Sequence, residues 1–366
     1  MGEPVRLGVI GAGSVAETYI PTVQRLNLQG LPAEIVIACD TRPAREAVVK
    51  DRFGIKTFTT DHRDVLKRDD VDAVLVLTSM QEHGSLTRQA LEAGKHVLVE
   101  KPMSMSLAEA GELIRLAREV GKILVCAPHV TLSPIYQAIW RHINNGDIGR
   151  VLNARGIYGW AGPSWGRWFY EPGGGPLFDL GVYNVTTMTG LMGPATRVVA
   201  FAGTAIKQRL VDNRQMTVQT EDNVQLLLDF GNECFANITT GFTLQKYRAN
   251  GIEIYGSEGT IQMLGEDWDP HGYELWQNRK GCWEVHENRD RWPWPDSVRD
   301  LIEAIHEKRQ PVNTPEHAYH VLEIMTKALE SAATGQAMPI TSTFAPARFD
   351  MVAAGTAPHL KHDPER

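Results

Sequence analysis

Over residues 5 to about 125, short apolar runs alternate with amphipathic stretches. Val5 to Ile10, Glu34 to Cys39, Ala73 to Leu77, His96 to Val99 and Ile123 to Val125 are rich in Val, Ile and Leu, which predicts strands buried on both faces. Between them apolar residues recur at helical spacing. In Ser106 to Val120, for example, Leu107, Ala110, Leu113, Ile114 and Ala117 form one stripe. Strand, helix, strand in repetition implies a doubly wound parallel sheet with right-handed crossovers.

After about residue 150 the runs are longer, β-prone and rarely separated by helices. Val151 to Tyr158, Arg197 to Ala205, Asn223 to Phe230, Cys234 to Thr240 and Gly251 to Leu264, with a turn at Gly256-Ser257, predict an open, mostly antiparallel sheet. Two later helices are expected. One runs from Asp296 to Lys308; the other, Glu316 to Ala333, is opened by Thr314-Pro315 and closed by Gly335. Beyond Phe344 the chain reads as irregular. The expected fold class is therefore α/β plus α+β, with residues 1–125 forming the first domain and 126–366 the second.

Composition narrows the partners. The chain has 366 residues, 37 basic and 44 acidic, for a net charge of -7, and no basic block that would track a phosphate backbone. Nucleic acid is excluded as a partner on this reading. No apolar run approaches the roughly 18 residues of a membrane span, and the N-terminus lacks the order of a signal peptide, so no membrane partner is expected. Cys39, Cys126, Cys234 and Cys282 lie far apart, which suits reduced thiols in a cytoplasmic protein and offers no metal-ligand spacing. No metal is expected.

The first strand enters Gly11-Ala12-Gly13-Ser14-Val15-Ala16, a G-x-G-x-x-A turn that opens a helix. The first glycine permits the turn, the second lets backbone approach a pyrophosphate, and the small third residue allows close helix–strand packing. The helix N-terminus adds N–H donors for phosphate. Asp40, ending the next strand, is placed to accept ribose hydroxyls, with Thr41 and Arg42 beside it. That acidic residue favours NAD over NADP, because a carboxylate repels a 2′-phosphate.

Two further stretches carry candidate chemistry. Glu100-Lys101-Pro102 follows the strand at His96 to Val99, at the carboxyl edge where doubly wound sheets bind ligands. Gly173-Gly174-Gly175-Pro176 precedes a helix in which Asp179 and Tyr183 are four apart and share a face, as a proton-transfer group and its hydrogen-bonding partner would. Each group also has a plainer reading: a solvated lysine, an aspartate favouring the helix dipole, a half-buried tyrosine.

Taken in order and spacing, the Gly11 turn, the run Gly94 to Pro102 and the segment Gly173 to Tyr183 resemble the Gfo/Idh/MocA oxidoreductase family. The resemblance implies an N-terminal Rossmann domain, a C-terminal open sheet that mediates homo-oligomerisation as a dimer or tetramer, and hydride exchange between a nicotinamide cofactor and a sugar, glycoside or polyol. By position it assigns Lys101 as the catalytic lysine and Asp179 as the acidic partner. Tyr183 stands where many relatives have histidine, as in the glucose-fructose oxidoreductase and dihydrodiol dehydrogenase branches, where tyrosine is the proposed acid/base. It also sets Gly11, Gly13, Ser14, Val15, Asp40, Thr41, Arg42, Thr78, His83, Glu100 and Lys101 around the cofactor. Thr78-Ser79-Met80 replaces the Thr-Pro-Asn of many members. Lys101 is expected to favour the phenolate of Tyr183 and so to draw its pKa below that of free tyrosine, near ~10.

Other candidates have two readings. His129, near Tyr136, is either a structural histidine or a substrate group beside the cleft. Trp160, Trp165 and Arg167, in the aromatic tract ending at Tyr170, present faces to a sugar ring or form a subunit interface. Trp292 and Trp294 read as packing or interface residues. Two alternatives to a dehydrogenase remain open: a redox-neutral, NAD-using enzyme that cleaves glycosides, and a dinucleotide sensor without catalysis.

Overall fold

In a computed structural model that describes residues 3–248, 250–288 and 292–349, the chain forms two sheets. The first is built from β1 (Val5–Ile10), β2 (Ala33–Cys39), β3 (Phe58–Thr59), β4 (Ala73–Val76), β5 (His96–Val99) and β6 (Leu124–Cys126). All pairings are parallel, in the order β3-β2-β1-β4-β5-β6. The chain therefore leaves β1 in one direction and resumes on its other side at β4, and the loops after these two strands face each other at the topological switch point.

The second sheet comprises β7 (Val151–Gly159), β8 (Arg197–Gly203), β11 (Asn223–Asp229), β12 (Phe235–Gly241), β13 (Ile252–Gly256), β14 (Gly259–Glu266), β15 (Asp269–Gln277), β16 (Trp283–Glu287) and β17 (Met338–Pro339). A separate hairpin pairs β9 (Gln208–Val211) with β10 (Arg214–Thr217). Strand order is β16-β15-β14-β13-β7-β12-β11-β8-β17, with β7–β12 the one parallel pair. Along β8 and β11 buried and exposed residues alternate, so one face packs inward and the other is open to water. The open face carries Val199, Leu227 opposite it, Phe201 and Phe235, and Phe201 is 78% exposed.

The expected strands and late helices form within one or two residues of their places in the sequence reading. Thr314 caps the helix Pro315–Thr334 by accepting from the His317 N–H, and Gly335 ends it at φ 70°. The reading missed β3, the β9–β10 hairpin, β15 to β17 and the helix Pro134–Asn144. Residues 345–349 are irregular, and the rest of the segment expected to be irregular lies outside the described residues.

Two large apolar clusters hold the two sheets, beside a smaller one around Tyr170 and Phe242. One lies on a single face of the first sheet and joins Leu7, Val9, Tyr19 and Ile20 to Val298, Leu301 and Ile302 of the helix Ser297–Glu307. That helix returns from the second half of the chain to pack on the first domain. The other cluster runs without a break from Val76, Val99 and Leu113 into Ile238, Val224 and Ile324, so the two sheets share a core.

Several histidines are wholly or partly buried in this frame. Burial pushes His129 and His317 down to about 3, and His96 and His320 down to about 4. Their folded values lie below the unfolded value of about 6.5, so below that pH the unfolded chain binds more protons and stability falls. The melting temperature is expected to be flat above pH ~7 and to drop steadily from pH ~6.5 towards ~4, as followed by circular dichroism. A constant melting temperature down to pH ~4.5 would contradict neutral burial of these rings.

Candidate active site

At the switch point Gly11 has φ +95°, and a Cβ there would lie 2.6 Å from the Leu77 carbonyl oxygen and 2.8 Å from the Thr78 nitrogen. The loops after β1 and β4 thus touch at a position only glycine can occupy. At Gly13 the nearest atom to an added Cβ is 3.8 Å away, on Arg42, so this backbone faces open space. Val15 precedes the helix Ala16–Leu28 without a side-chain cap, Ser14 is exposed, and the helix start stays available to an anion. Arg45 fastens the turn from outside, donating to the Ala12 carbonyl (2.5 Å) and to Glu17 (2.8 Å).

Asp40 closes the floor of this cradle. Its carboxylate is buried and accepts from the Ala12 N–H (3.1 Å), from the Arg42 N–H (2.9 Å) and from Arg42 Nε and Nη2 (2.9 and 3.0 Å). Burial alone would raise its pKa, but these donors outweigh burial and hold it below the usual carboxylate range. Thr41 is exposed at the rim. The glycine cradle, the uncapped helix start and the ionised Asp40 together fit a dinucleotide.

The second half of the site lies at the end of β5. Lys101 Nζ donates to Asp179 Oδ1 (2.8 Å) and to the Asp179 main-chain carbonyl (2.6 Å), and stands 5.2 Å from the centre of the Tyr183 ring. Residues 78 and more positions apart in sequence are thereby brought to one point between the sheets. The Lys101–Pro102 peptide is cis. Of the three ammonium N–H groups two serve Asp179, which leaves one for an incoming oxygen.

The segment after Pro176 begins as a wide π-turn, Leu177–Gly181, before the α-helix Val182–Met192. Such turns cluster at functional sites. Gly173 (φ +88°) and Gly175 (φ +97°) set its entry, and at Gly174 a Cβ would run into the carbonyls of Trp168 and Phe169. The aromatic tract is thus joined to the turn that carries Asp179. Trp160 and Trp165 sit 5.6 Å apart with Trp165 53% exposed, and the exposed Arg167 lies 3.8 Å from Glu171. Tyr170 packs with Val211 and Met216 of the β9–β10 hairpin.

Tyr183 departs from expectation. Burial, then the charges of Glu100, Asp179 and Asp267, raise its pKa well above 10. Lys101 does not reverse this because its ammonium is already paired with Asp179. Asp267 escaped the sequence reading altogether. It is buried, accepts from Asn184 (2.8 Å) and Thr187 (3.3 Å), and burial pushes it up to about 7. Tyr158, edge-on to Tyr183 at 5.7 Å, was also missed. Nothing in the local sequence marks either residue.

Two histidines are enclosed. His83 is clamped between the Pro102 carbonyl (2.7 Å) and the Thr78 carbonyl (3.1 Å), and so ties the two loops that border the cradle. His129 is 2% exposed with both ring nitrogens engaged by Tyr19 and Ser297, which corrects its reading as a substrate group. Trp294 packs edge-on against Tyr19 at 5.5 Å, in keeping with a packing role.

Residues 5–127 match a family model described as oxidoreductase family, NAD-binding Rossmann fold, and residues 136–262 match the GFO/IDH/MocA C-terminal domain. Over 344 residues the chain is 28% identical to a 1,5-anhydro-D-fructose reductase of Ensifer adhaerens, covering 92% of this chain and 98% of that protein. A D-glucoside 3-dehydrogenase of Escherichia coli is 31% identical over 54% of this chain and 57% of its own length. Among solved structures, a levoglucosan dehydrogenase in complex with NADH and levoglucosan superposes with a TM-score of 0.83 at 20% identity, over 92% of this chain and all of that one.

Gly11→Ala is expected to abolish NAD binding in a fluorescence titration and to lower stability by about 1–3 kcal/mol through backbone strain alone. Unchanged affinity would mean that the two loops part easily and that the cradle is not built as described.

Proposed function

The chain belongs to the Gfo/Idh/MocA oxidoreductase family, and from that membership we propose that it moves a hydride between a nicotinamide cofactor and a secondary hydroxyl of a sugar, glycoside or polyol. The observation that carries this reading is the meeting of Lys101, Asp179 and Tyr183 at the end of β5. The named activities of the anhydrofructose reductase and the glucoside dehydrogenase support the carbohydrate class. Residues 1–125 hold the dinucleotide, and 126–366 supply the substrate side.

When bound, the nicotinamide accepts or returns the hydride. Gly11, Gly13, Ser14 and Val15 would receive the pyrophosphate, Asp40 the ribose diol and Thr78 the ring end, with the buried His83 and Glu100 supporting that end from behind. Asp40 favours NAD, and Arg42, which engages both oxygens of its carboxylate, partly offsets that preference; competing titration with NADP checks which of the two governs the pocket. The free N–H of Lys101 holds the reacting oxygen, and Asp179 orients the lysine rather than the substrate. Tyr183, whose surroundings favour the protonated form, donates its proton when a carbonyl is reduced; in alcohol oxidation it must first lose that proton to solvent and then takes the substrate proton as the phenolate. Trp160 and Trp165 offer faces to a sugar ring, with Arg167 at their edge.

We further propose that the chain assembles into a homo-oligomer through the open face of the second sheet, since Val199, Phe201, Leu227 and Phe235 form an apolar surface there. Phe201→Asp is expected to lower the mass measured by light scattering to that of one chain. A wild-type mass of one chain would refute the assembly.

Screening sugars and glycosides, levoglucosan and methyl glucosides included, for NADH formation tests the activity; release of aglycone without NADH would instead favour the redox-neutral reaction. Lys101→Met is expected to cost several powers of ten in turnover with NAD affinity kept. Tyr183→Phe is expected to slow the reaction roughly 10²–10⁴-fold. In wild type, alcohol oxidation should still be rising near pH ~10, the range of a tyrosine whose pKa is not depressed, and the Phe variant should lose that rise. Normal turnover of Lys101→Met would remove the central assignment.

A further inference from the structure

Glu100, next to Lys101, turns its carboxylate inward and accepts from the Tyr19 hydroxyl (2.7 Å) and from the Lys101 N–H (3.1 Å). Tyr19 also meets His129 Nε2 (2.6 Å), and His129 Nδ1 meets the Ser297 hydroxyl. Asn313 Nδ2 reaches both Ser297 Oγ and the Pro128 carbonyl, each at 3.2 Å, while its Oδ1 accepts from Thr131. Tyr19, Glu100, His129, Ser297, Asn313 and Thr131 are all buried.

Proton positions along this chain are dictated from its far end. The Pro128 carbonyl can only accept, so Asn313 presents its amide nitrogen there and donates to Ser297. The Ser297 proton is then directed to His129 Nδ1. Burial pushes His129 down to about 3, so the ring is neutral and carries its one proton on Nε2, which donates to Tyr19. The Tyr19 proton goes to Glu100. From Asn313 through Ser297, His129 and Tyr19, one donor at each step therefore points towards the Glu100 carboxylate, and aligned hydrogen bonds polarise one another. The chain is not a proton relay, because an asparagine amide does not pass protons and Thr131 at its end is 1% exposed.

We propose that Tyr19, His129 and Ser297 are positioning residues for Lys101, fixing the Glu100 carboxylate that in turn holds the main-chain N–H of the lysine at the end of β5. This rests on Lys101 being the catalytic lysine. The chain adds polar links between three elements: the helix Ala16–Leu28, the start of the second domain, and the returning helix Ser297–Glu307. Asp300 secures the far end by accepting from the Val312 N–H (2.7 Å), which keeps Asn313 in reach of Ser297.

Tyr19→Phe and Ser297→Ala each delete one oxygen with little change of shape, so both variants are expected to fold. Each should lower kcat roughly 10- to 100-fold by misplacing the lysine, with NAD affinity by fluorescence titration within about twofold of wild type. Tyr19 and Ser297 each bond His129, so effects that do not pass through that ring would multiply; if they act as one chain, the double variant should fall within about threefold of Tyr19→Phe alone. Multiplying losses, or normal kcat in both single variants, would overturn the proposal. Nitrogen NMR of histidine-labelled protein reads the direction without substrate: the His129 proton is expected on Nε2, and a proton on Nδ1 would refute the assigned order. Normal turnover in Lys101→Met would unseat the underlying catalytic reading, whereas an inactive Lys101→Met beside fully active Tyr19→Phe and Ser297→Ala would remove the positioning role alone.

Discussion

Lys101 and Asp179 meet where the two sheets face each other, with side chains only 12% and 16% exposed. Taking such a pair from water costs several kcal/mol per ion before any attraction is counted, so it is a weak source of stability and a strong constraint on position. Much of the surrounding geometry serves that constraint. The glycines at 173 to 175 let the backbone turn tightly enough to bring Asp179 across, and the π-turn carries the main-chain carbonyl that gives Lys101 a second acceptor. Because the ammonium is balanced there, it no longer draws the proton from Tyr183, which instead faces three carboxyl groups. One ion pair thus sets where the lysine stands, while burial first, and then these carboxyl groups, set which form the tyrosine takes.

The parts of the fold visible in the sequence are those in which one local rule decides. A strand buried on both faces must be apolar without interruption, so β1, β2, β4, β5 and β6 announce themselves. Gly11 is legible because no side chain tolerates its place. The two-residue β3 carries too little pattern to be seen, and β15, with Gly272 and charged residues among its positions, lacks clean alternation. The π-turn at Leu177 is invisible for a different reason: its hydrogen-bond register is chosen by contacts with Lys101 and the aromatic tract, not by local spacing.

The site was legible as a set of residues and less so as a set of states. Asp40, Lys101, Asp179 and Tyr183 could be picked out by their positions after strands and glycines. The proton affinity of Tyr183 could not, since Glu100 and Asp267 come from distant stretches. His129 shows the same limit. A histidine in an apolar segment reads alike whether it greets a substrate or is sealed inside, and only the meeting with Tyr19 and Ser297 decides.

The returning helix Ser297–Glu307 bears on how this protein can be divided or inherited. Val298, Leu301 and Ile302 complete the core against Leu7, Val9 and Tyr19, and Trp294 covers the outer edge of that tyrosine. A fragment cut after β6 would keep all six strands of its sheet yet expose an oily furrow where the helix had lain, inviting aggregation. The nucleotide-binding half is therefore not a detachable cassette. Any recombination that exchanges the second half must bring along a helix of matching shape, which couples the evolution of substrate choice to the packing behind the cofactor.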